Sequence, residues 1–509
     1  MITLSYNQES LEYDAYALLT SFYPGIETRQ LLSEEGTGEA DELHIHAEED
    51  GSCRLFFRAG AVFDKDREYA FSPEREATEG APGEEALRVL KWERKRFFYD
   101  CFADYSGREL PWGGLTGVRP TKLILGTARE RELSEEELIR FMYEQYRVSE
   151  EKAKLGYRIA MLEDGLLDPF RSGGYSLYIG IPFCPSTCLY CSFLSYPIAA
   201  FRKKVSEYLD CVETELAALP EIMKGQAPDT VYIGGGTPTA LSAEELERLL
   251  EMVRRLIPAS GKNTQGLRFR LQTGSLREFT VEAGRPDSIT PEKLRVMRKY
   301  VVDRISVNPQ TFKEETLRLI GRHHTTEQLC EAFALARSEG FDNINMDLIL
   351  GLPGEKLSDV EHTLSRVAEL GPDSLTVHSL ALKRAAKMRE WVAEHGQISG
   401  LDYECAMKMA SDTADALGMK PYYLYRQKNM AGALENTGFA REGKYGLYNI
   451  VIMEEVQSIY AIGAGTVSKK VFTDGSGRIE RCDTHKDLSL YLSDIQAMIE
   501  RKRRLFGEG

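Results

Sequence analysis

A chain of 509 residues can bury a large core and should divide into more than one domain. Its 64 Lys and Arg against 79 Asp and Glu give a formal net charge of −15, which argues against a broad phosphate-backbone interface with nucleic acid. No apolar run approaches the roughly 20 residues of a membrane span, and Met1 to Thr20 carries Glu9, Glu12 and Asp14 where a signal peptide would be basic and then apolar.

The expectation is a globular cytoplasmic protein with no membrane and no nucleic-acid partner. Nine cysteines, an odd number, argue against a disulfide framework in a reducing compartment. Cys53, Cys101, Cys211, Cys330, Cys405 and Cys482 stand alone and read as small buried hydrophobes rather than ligands.

In chain order, Glu42–His46 and Arg54–Arg58 read as strands, the first by its alternation of apolar and polar residues. Helical patterns follow at 84–105 and 134–166, the latter opening on the capping box Ser134-Glu-Glu-Glu137. Gly113 to Lys122 is a Gly-rich stretch with two cations, read as a structural turn before an anion contact. From Tyr175 apolar strands alternate with helices. The strands are Leu177–Ile181, Thr230–Ile233, Phe279–Val281, Arg304–Val307, Ile344–Ile349 and Ser374–Val377, and the helices between them include 205–219, 243–256 and 326–339. Six such units predict parallel strands with helices outside, a βα barrel or part of one, with its active site at the C-terminal strand ends. Beyond about residue 385 a helix (402–417) and Tyr- and Gly-rich segments suggest a module that closes over the barrel. The predicted domains are 1–170, 171–385 and 386–509.

Chemistry concentrates at the strand ends. Cys184, Cys188 and Cys191 follow the first strand directly, so one loop can direct all three sulfurs to a common site. Three thiolates are one short of the complement for a four-iron cluster, which leaves an iron open to a further ligand. Zinc is the metal-based competitor, but it usually takes four closed ligands in two separated pairs, and no second pair exists here. After the second strand comes Gly234-Gly-Gly-Thr-Pro-Thr239, where absent side chains let backbone groups approach a ligand. Glu282 and Asp347 at strand ends can accept hydrogen bonds from hydroxyls, and Arg322 can pair with a carboxylate. His323, His324 and His378 are candidate proton carriers, although a packed or solvated histidine is the commoner case.

Taken in order, Tyr178-Ile-Gly-Ile-Pro-Phe-Cys184, Gly234 to Thr239, Glu278-Phe-Thr-Val-Glu282, Val307 to Phe312, Gly321-Arg-His-His324 and Asn345 to Pro353 resemble the motifs of the radical S-adenosylmethionine (SAM) superfamily. More narrowly, they resemble oxygen-independent coproporphyrinogen III oxidases, over residues 175 to 380 and with a weaker echo at Gly463 to Ser468. The resemblance implies an α/β fold: a partial (β/α)6 TIM-like radical SAM barrel with an added α+β N-terminal domain and a mainly helical C-terminal module that covers the substrate. It implies a [4Fe-4S] cluster on Cys184, Cys188 and Cys191. SAM contacts would come from Tyr178, Tyr190, Gly235, Gly236, Thr237, Glu282, Gln310, Arg322, Asp347 and Ala381, with Tyr178, Glu282 and Arg322 nearest the chemistry.

The implied reaction is oxidative decarboxylation of coproporphyrinogen III propionates to vinyl groups, fed by an electron donor such as flavodoxin or ferredoxin. A haem chaperone and a haem-degrading radical methyltransferase are the alternatives, all three acting on tetrapyrroles. The chaperones usually carry a His-Asn pair where this chain reads Leu447-Tyr-Asn-Ile-Val-Ile-Met453. For a tetracarboxylate, Lys383, Arg384 and Arg426 are candidate cations by position. Three features depart from the pattern: Ser192 replaces a further cysteine, Gly180 replaces the histidine before Ile-Pro-Phe-Cys, and residues 1–170 do not resemble the short N-terminal segment of the well-characterised members.

Overall fold

The structure, a computed structural model, describes residues 1–73, 83–117, 119–257, 276–381, 387–396, 400–427 and 431–507. It divides into two compact units: Met1–Ala160 with Leu424–Glu435, and Met161–Tyr423 with Asn436–Gly509. The first boundary thus falls ten residues before the expected one, and residues 386–509 form no unit of their own.

In the first unit a five-stranded sheet runs in the order Thr28–Leu32, Ile2–Tyr6, Glu42–Ala47, Cys53–Phe57, Arg67–Phe71. Ile2–Tyr6 is parallel to both of its neighbours, and the remaining pairs are antiparallel. Leu4, Leu43, Leu55 and Phe57 pack against Phe98 and Phe102 of the helix Gly83–Ser106. The capping box at Ser134 forms as expected, its hydroxyl accepting from Glu137 N–H. The single helix predicted over 134–166 is instead two, Glu135–Tyr146 and Glu150–Leu167. Arg147 ends the first in the left-handed conformation (φ 57°), and two 2.8 Å hydrogen bonds to Asp100 hold its guanidinium there. The Gly113 stretch opens as a turn closed by Gly113 N–H to Leu110 C=O (2.8 Å).

The second unit is built on six parallel strands in sequence order: Tyr175–Ile181, Thr230–Gly235, Glu278–Glu282, Arg304–Ser306, Ile344–Leu350 and Ser374–Ser379. Each is largely buried along its length, as strands covered on both faces must be, and most of their buried residues are apolar. Later segments extend both edges of this sheet. Asn436–Ala440 lies antiparallel to the sixth strand, and Ser458–Ile462 lies parallel to the first. Val467–Val471 and Ile479–Asp483 continue that edge antiparallel. The helix Ile495–Gly507 is tied in by Lys502, whose ammonium pairs with the fully buried Glu215; Tyr491 donates to the same carboxylate at 2.5 Å and Gly463 N–H at 3.0 Å. No helix among the described residues is long and apolar enough to cross a membrane.

Of the isolated cysteines, Cys53, Cys101 and Cys211 are buried, Cys330 and Cys482 half-buried, and Cys405 exposed.

Candidate active site at the strand ends

The cysteine loop leaves the first strand at Ile181 and is turned back by a short parallel bridge between Phe183–Cys184 and Tyr196–Pro197. Two backbone bonds staple the glycine loop to its base, Gly236 N–H to Ile181 C=O (2.7 Å) and Thr237 N–H to Phe183 C=O (2.8 Å). The approach is so close that a Cβ on Gly236 would stand 2.8 Å from the carbonyl oxygens of Ile181 and Phe183 and 2.9 Å from Cys184 Sγ. Only glycine fits there. Thr237 Oγ1 donates to Cys184 Sγ at 3.4 Å, while burial pushes that thiol up to about 11. A buried thiol in such a place needs nearby positive charge before it becomes a thiolate.

Cys184, Cys188, Cys191 and Tyr190 share a cavity of about 160 Å³ with Gly235, Gly236, Thr237, Glu282, Gln310, Arg322 and Asp347. Eleven of the thirteen residues named from sequence therefore meet at one place. Tyr178 lines an adjoining cavity that shares Gly235 and Glu282, and Ala381 sits buried beyond the sixth strand, lining neither. Among the described residues no three His, Cys, Asp or Glu side chains converge on one point as a single metal ion requires.

The walls hold polar groups in prepared positions. Gln310 sits at φ 67°, an uncommon conformation for a residue with a side chain, locked by Gln310 N–H to Asp347 C=O (2.9 Å) and Ile349 N–H to Gln310 C=O (3.0 Å). Its Oε1 is buried without a hydrogen-bond partner, as is Arg322 Nε. Arg322 Nη1 donates to Asn308 C=O at 2.6 Å. Burial alone would lower its pKa, but Tyr190 and Cys188 beside it hold the guanidinium more firmly charged than usual. Asp347 receives one hydrogen bond on each oxygen, from Asn308 and Asn345, both at 2.7 Å. Tyr232 donates to Glu282 at 2.6 Å, and burial pushes the Glu282 carboxyl up to about 7.

Sequence reading missed several members. Arg285, Ser186 and Asn308 line the same cavity, and Arg285 follows the third strand by only three residues, a strand-end position that was the available signal. Tyr232 and Tyr448 stack at 4.5 Å between centroids and join Tyr178 in the second cavity.

Other candidates fall away. His324 is buried with both ring nitrogens unpartnered, and burial, aided by Arg322, lowers its pKa to about 4, so it stays neutral near pH 7. Arg426 belongs to the first unit, buried, with its guanidinium bonded to the carbonyls of Leu115 and Ala433. That burial, not a carboxylate ligand, explains the cation. Lys383 and Arg384 lie outside the described residues. At Gly180, a Cβ would meet Thr466 Cγ2 at 2.7 Å, so a histidine there would displace the adjoining wall.

The model of the radical SAM superfamily matches residues 178–367. The oxygen-independent coproporphyrinogen-III oxidase-like protein HemZ of Bacillus subtilis is 40% identical over 422 residues, 82% of this chain and 81% of that protein. The heme chaperone HemW of the same organism is 39% identical over 210 residues, 41% of this chain and 51% of that protein. Among solved structures, the coproporphyrinogen III oxidase HemN from Escherichia coli, described as a radical SAM enzyme, superposes with a TM-score of 0.50 at 22% identity, over 67% of this chain and 73% of that one. The last is a likeness of fold.

Proposed function

The chain belongs to the radical SAM superfamily and, within it, to the oxygen-independent coproporphyrinogen-III oxidase-like proteins, and on that premise we propose that it oxidatively decarboxylates coproporphyrinogen III to protoporphyrinogen IX. The superfamily uses a [4Fe-4S] cluster and SAM, and the residues present fit both. Three cysteines with no fourth cysteine beside them line a cavity whose floor admits no Cβ at Gly236, and unpartnered polar atoms of Gln310 and Arg322 lie in its walls. Cys184, Cys188 and Cys191 would hold the cluster. Gly235, Gly236 and Thr237 would take the SAM amino group, with Tyr178, Tyr190, Glu282, Gln310, Arg322 and Asp347 around its remaining polar parts. When bound, these groups supply a 5′-deoxyadenosyl radical able to abstract hydrogen from a propionate β-carbon, after which CO₂ and an electron are lost.

What the chain itself contributes is positioning and exclusion of water. Thr237 orients Cys184, and Arg322 offers a fixed charge that a carboxylate can meet. Asn308 and Asn345 hold Asp347 so that its free lone pairs face hydroxyls. Glu282, bridged to Tyr232, stands where the two cavities meet.

The observation that carries the substrate reading is that second cavity. It measures about 430 Å³, within the range of small-molecule sites, and is lined by Tyr178, Tyr232 and Tyr448 with Lys469 at its wall. Flat aromatic walls suit a macrocycle, and the Lys469 ammonium, which pairs with Glu455 at 3.0 Å, would have to exchange that carboxylate for a propionate. Tyr448, Ile452, Ile459, Thr466 and Lys469 come from residues 386–509, which supports a covering role for that segment. A one-electron donor of the flavodoxin or ferredoxin type completes the scheme.

The test is anaerobic: reconstitute the cluster, add SAM, a reductant and coproporphyrinogen III, and look for vinyl products by mass. SAM cleavage without decarboxylation would overturn the substrate assignment while leaving radical chemistry. Stable haem binding without turnover would favour a chaperone, and a methylated tetrapyrrole would favour the methyltransferase.

A further inference from the structure

Arg285 has no role in the account above, yet it is 3% exposed and reaches the cysteine loop directly. Its Nη1 donates to Cys188 Sγ at 3.6 Å and to Ser186 C=O at 3.3 Å, and its Nη2 to Ser186 Oγ at 3.1 Å. Ser186 Oγ in turn donates to Gly321 C=O at 2.7 Å, so one guanidinium ties the cysteine loop towards the loop that carries Arg322. The fork is itself fixed. Asp287 accepts from Arg285 Nε at 3.0 Å and Nη2 at 2.9 Å, a bidentate pair. The backbone is fixed as well, with Ser288 Oγ donating to Arg285 C=O at 2.7 Å. A buried arginine with every arm placed is costly to keep unless its position does something.

Resting on the cluster assignment under Proposed function, we propose that Arg285 is a positioning residue that tunes the reduction potential of the cluster through the Cys188 sulfur, with Asp287 setting how much of its charge is felt. An N–H donor on a ligand sulfur draws electron density from it and favours the reduced cluster, and a nearby positive charge acts in the same sense. Asp287 opposes both by sharing the charge. The two residues should therefore move the potential in opposite directions when each is neutralised.

The experiment is an anaerobic redox titration of the reconstituted full chain, followed by electron paramagnetic resonance, with iron content measured on each sample. Arg285→Gln should titrate at a more negative midpoint than the parent, Asp287→Asn at a more positive one, and Arg285→Lys, which keeps charge but loses the fork, between the parent and Arg285→Gln. A purely structural role would lower iron content and leave the midpoint of the loaded fraction unmoved. Equal midpoints in Arg285→Gln and the parent at full iron content would overturn the proposal, as would failure of both neutral variants to load. A parent chain that takes up no iron on its three cysteines would instead overturn the cluster assignment beneath it.

Discussion

Glu435 in the first unit and Gln310 in the second are both buried polar side chains, and they are treated in opposite ways. Glu435 is fully enclosed, and its oxygens are met by Trp112 Nε1 at 2.6 Å and Lys152 Nζ at 2.8 Å. Gln310 is held in a costly backbone conformation with its amide oxygen left without a partner. A satisfied buried group is architecture; an unsatisfied one at a cavity wall is waiting for a ligand. The difference separates structural polarity from functional polarity within one chain.

Four measurements would break or sharpen that contrast. The largest effect belongs to Cys188→Ala, which should abolish SAM cleavage and lower iron and sulfide content while leaving the circular dichroism unchanged; retained cleavage would remove the triad from the chemistry. Next, Glu435→Ala leaves the indole N–H unpartnered and the buried Lys152 ammonium with only the exposed Glu151 at 3.8 Å, and should cost about 3 kcal/mol in chemical unfolding of the full chain. SAM affinity of the folded protein should be untouched by it, and a loss there would blur the distinction between the two regions. Gly236→Ala forces two backbone carbonyl oxygens and a sulfur to move, and should weaken SAM binding by about tenfold or more, roughly 1.4 kcal/mol, while costing about 1–3 kcal/mol in unfolding.

The smallest effect is in pH. Burial raises Glu282 to about 7, so its carboxylate predominates only above that value. A ribose hydroxyl is best accepted by the carboxylate, so SAM affinity should climb by up to about tenfold per unit below pH 7 and level off above it. The ligand-free fold should respond with the opposite sign, losing stability as pH rises through 7, because ionisation of a group with a raised folded pKa is unfavourable. Glu282→Gln should flatten both curves; calorimetric titration across pH 6–8 checks the first, and a flat parental profile would take Glu282 out of the site.

Much of the barrel was legible because its strands are short apolar runs bounded by turns, and each chemical motif fell at a strand end. The helix 243–256 matches Ala243–Leu256 with its Ser242 cap. Other elements escaped for physical reasons. Ile2–Tyr6 is buried along its whole length although Thr3 and Ser5 are polar, since Ser5 Oγ donates to Glu42 at 2.6 Å, a partner no local window reveals. The break at Arg147 depends on Asp100, 47 positions away. Arg426 is a candidate substrate cation by position alone, whereas its partners are carbonyls brought close only by folding. Arg285 lies outside the family motifs, and only its strand-end position signals it in the sequence.

The parallel partner of the first barrel strand is Ser458–Ile462, and the bond from Ser176 Oγ to Gln457 spans 281 positions. At about 5–20 residues per second of synthesis, the edge strand that precedes the cysteine loop waits roughly 15–60 s on the ribosome for that neighbour. During the interval its hydrogen-bonding edge and the three thiols are available to solvent, oxygen and other chains. Timing therefore becomes part of maturation: metal delivered before residue 462 emerges meets a cysteine loop whose supporting strand still lacks one neighbour, and if that support matters, pulse-labelled chains arrested short of Ser458 should bind iron less well than released ones.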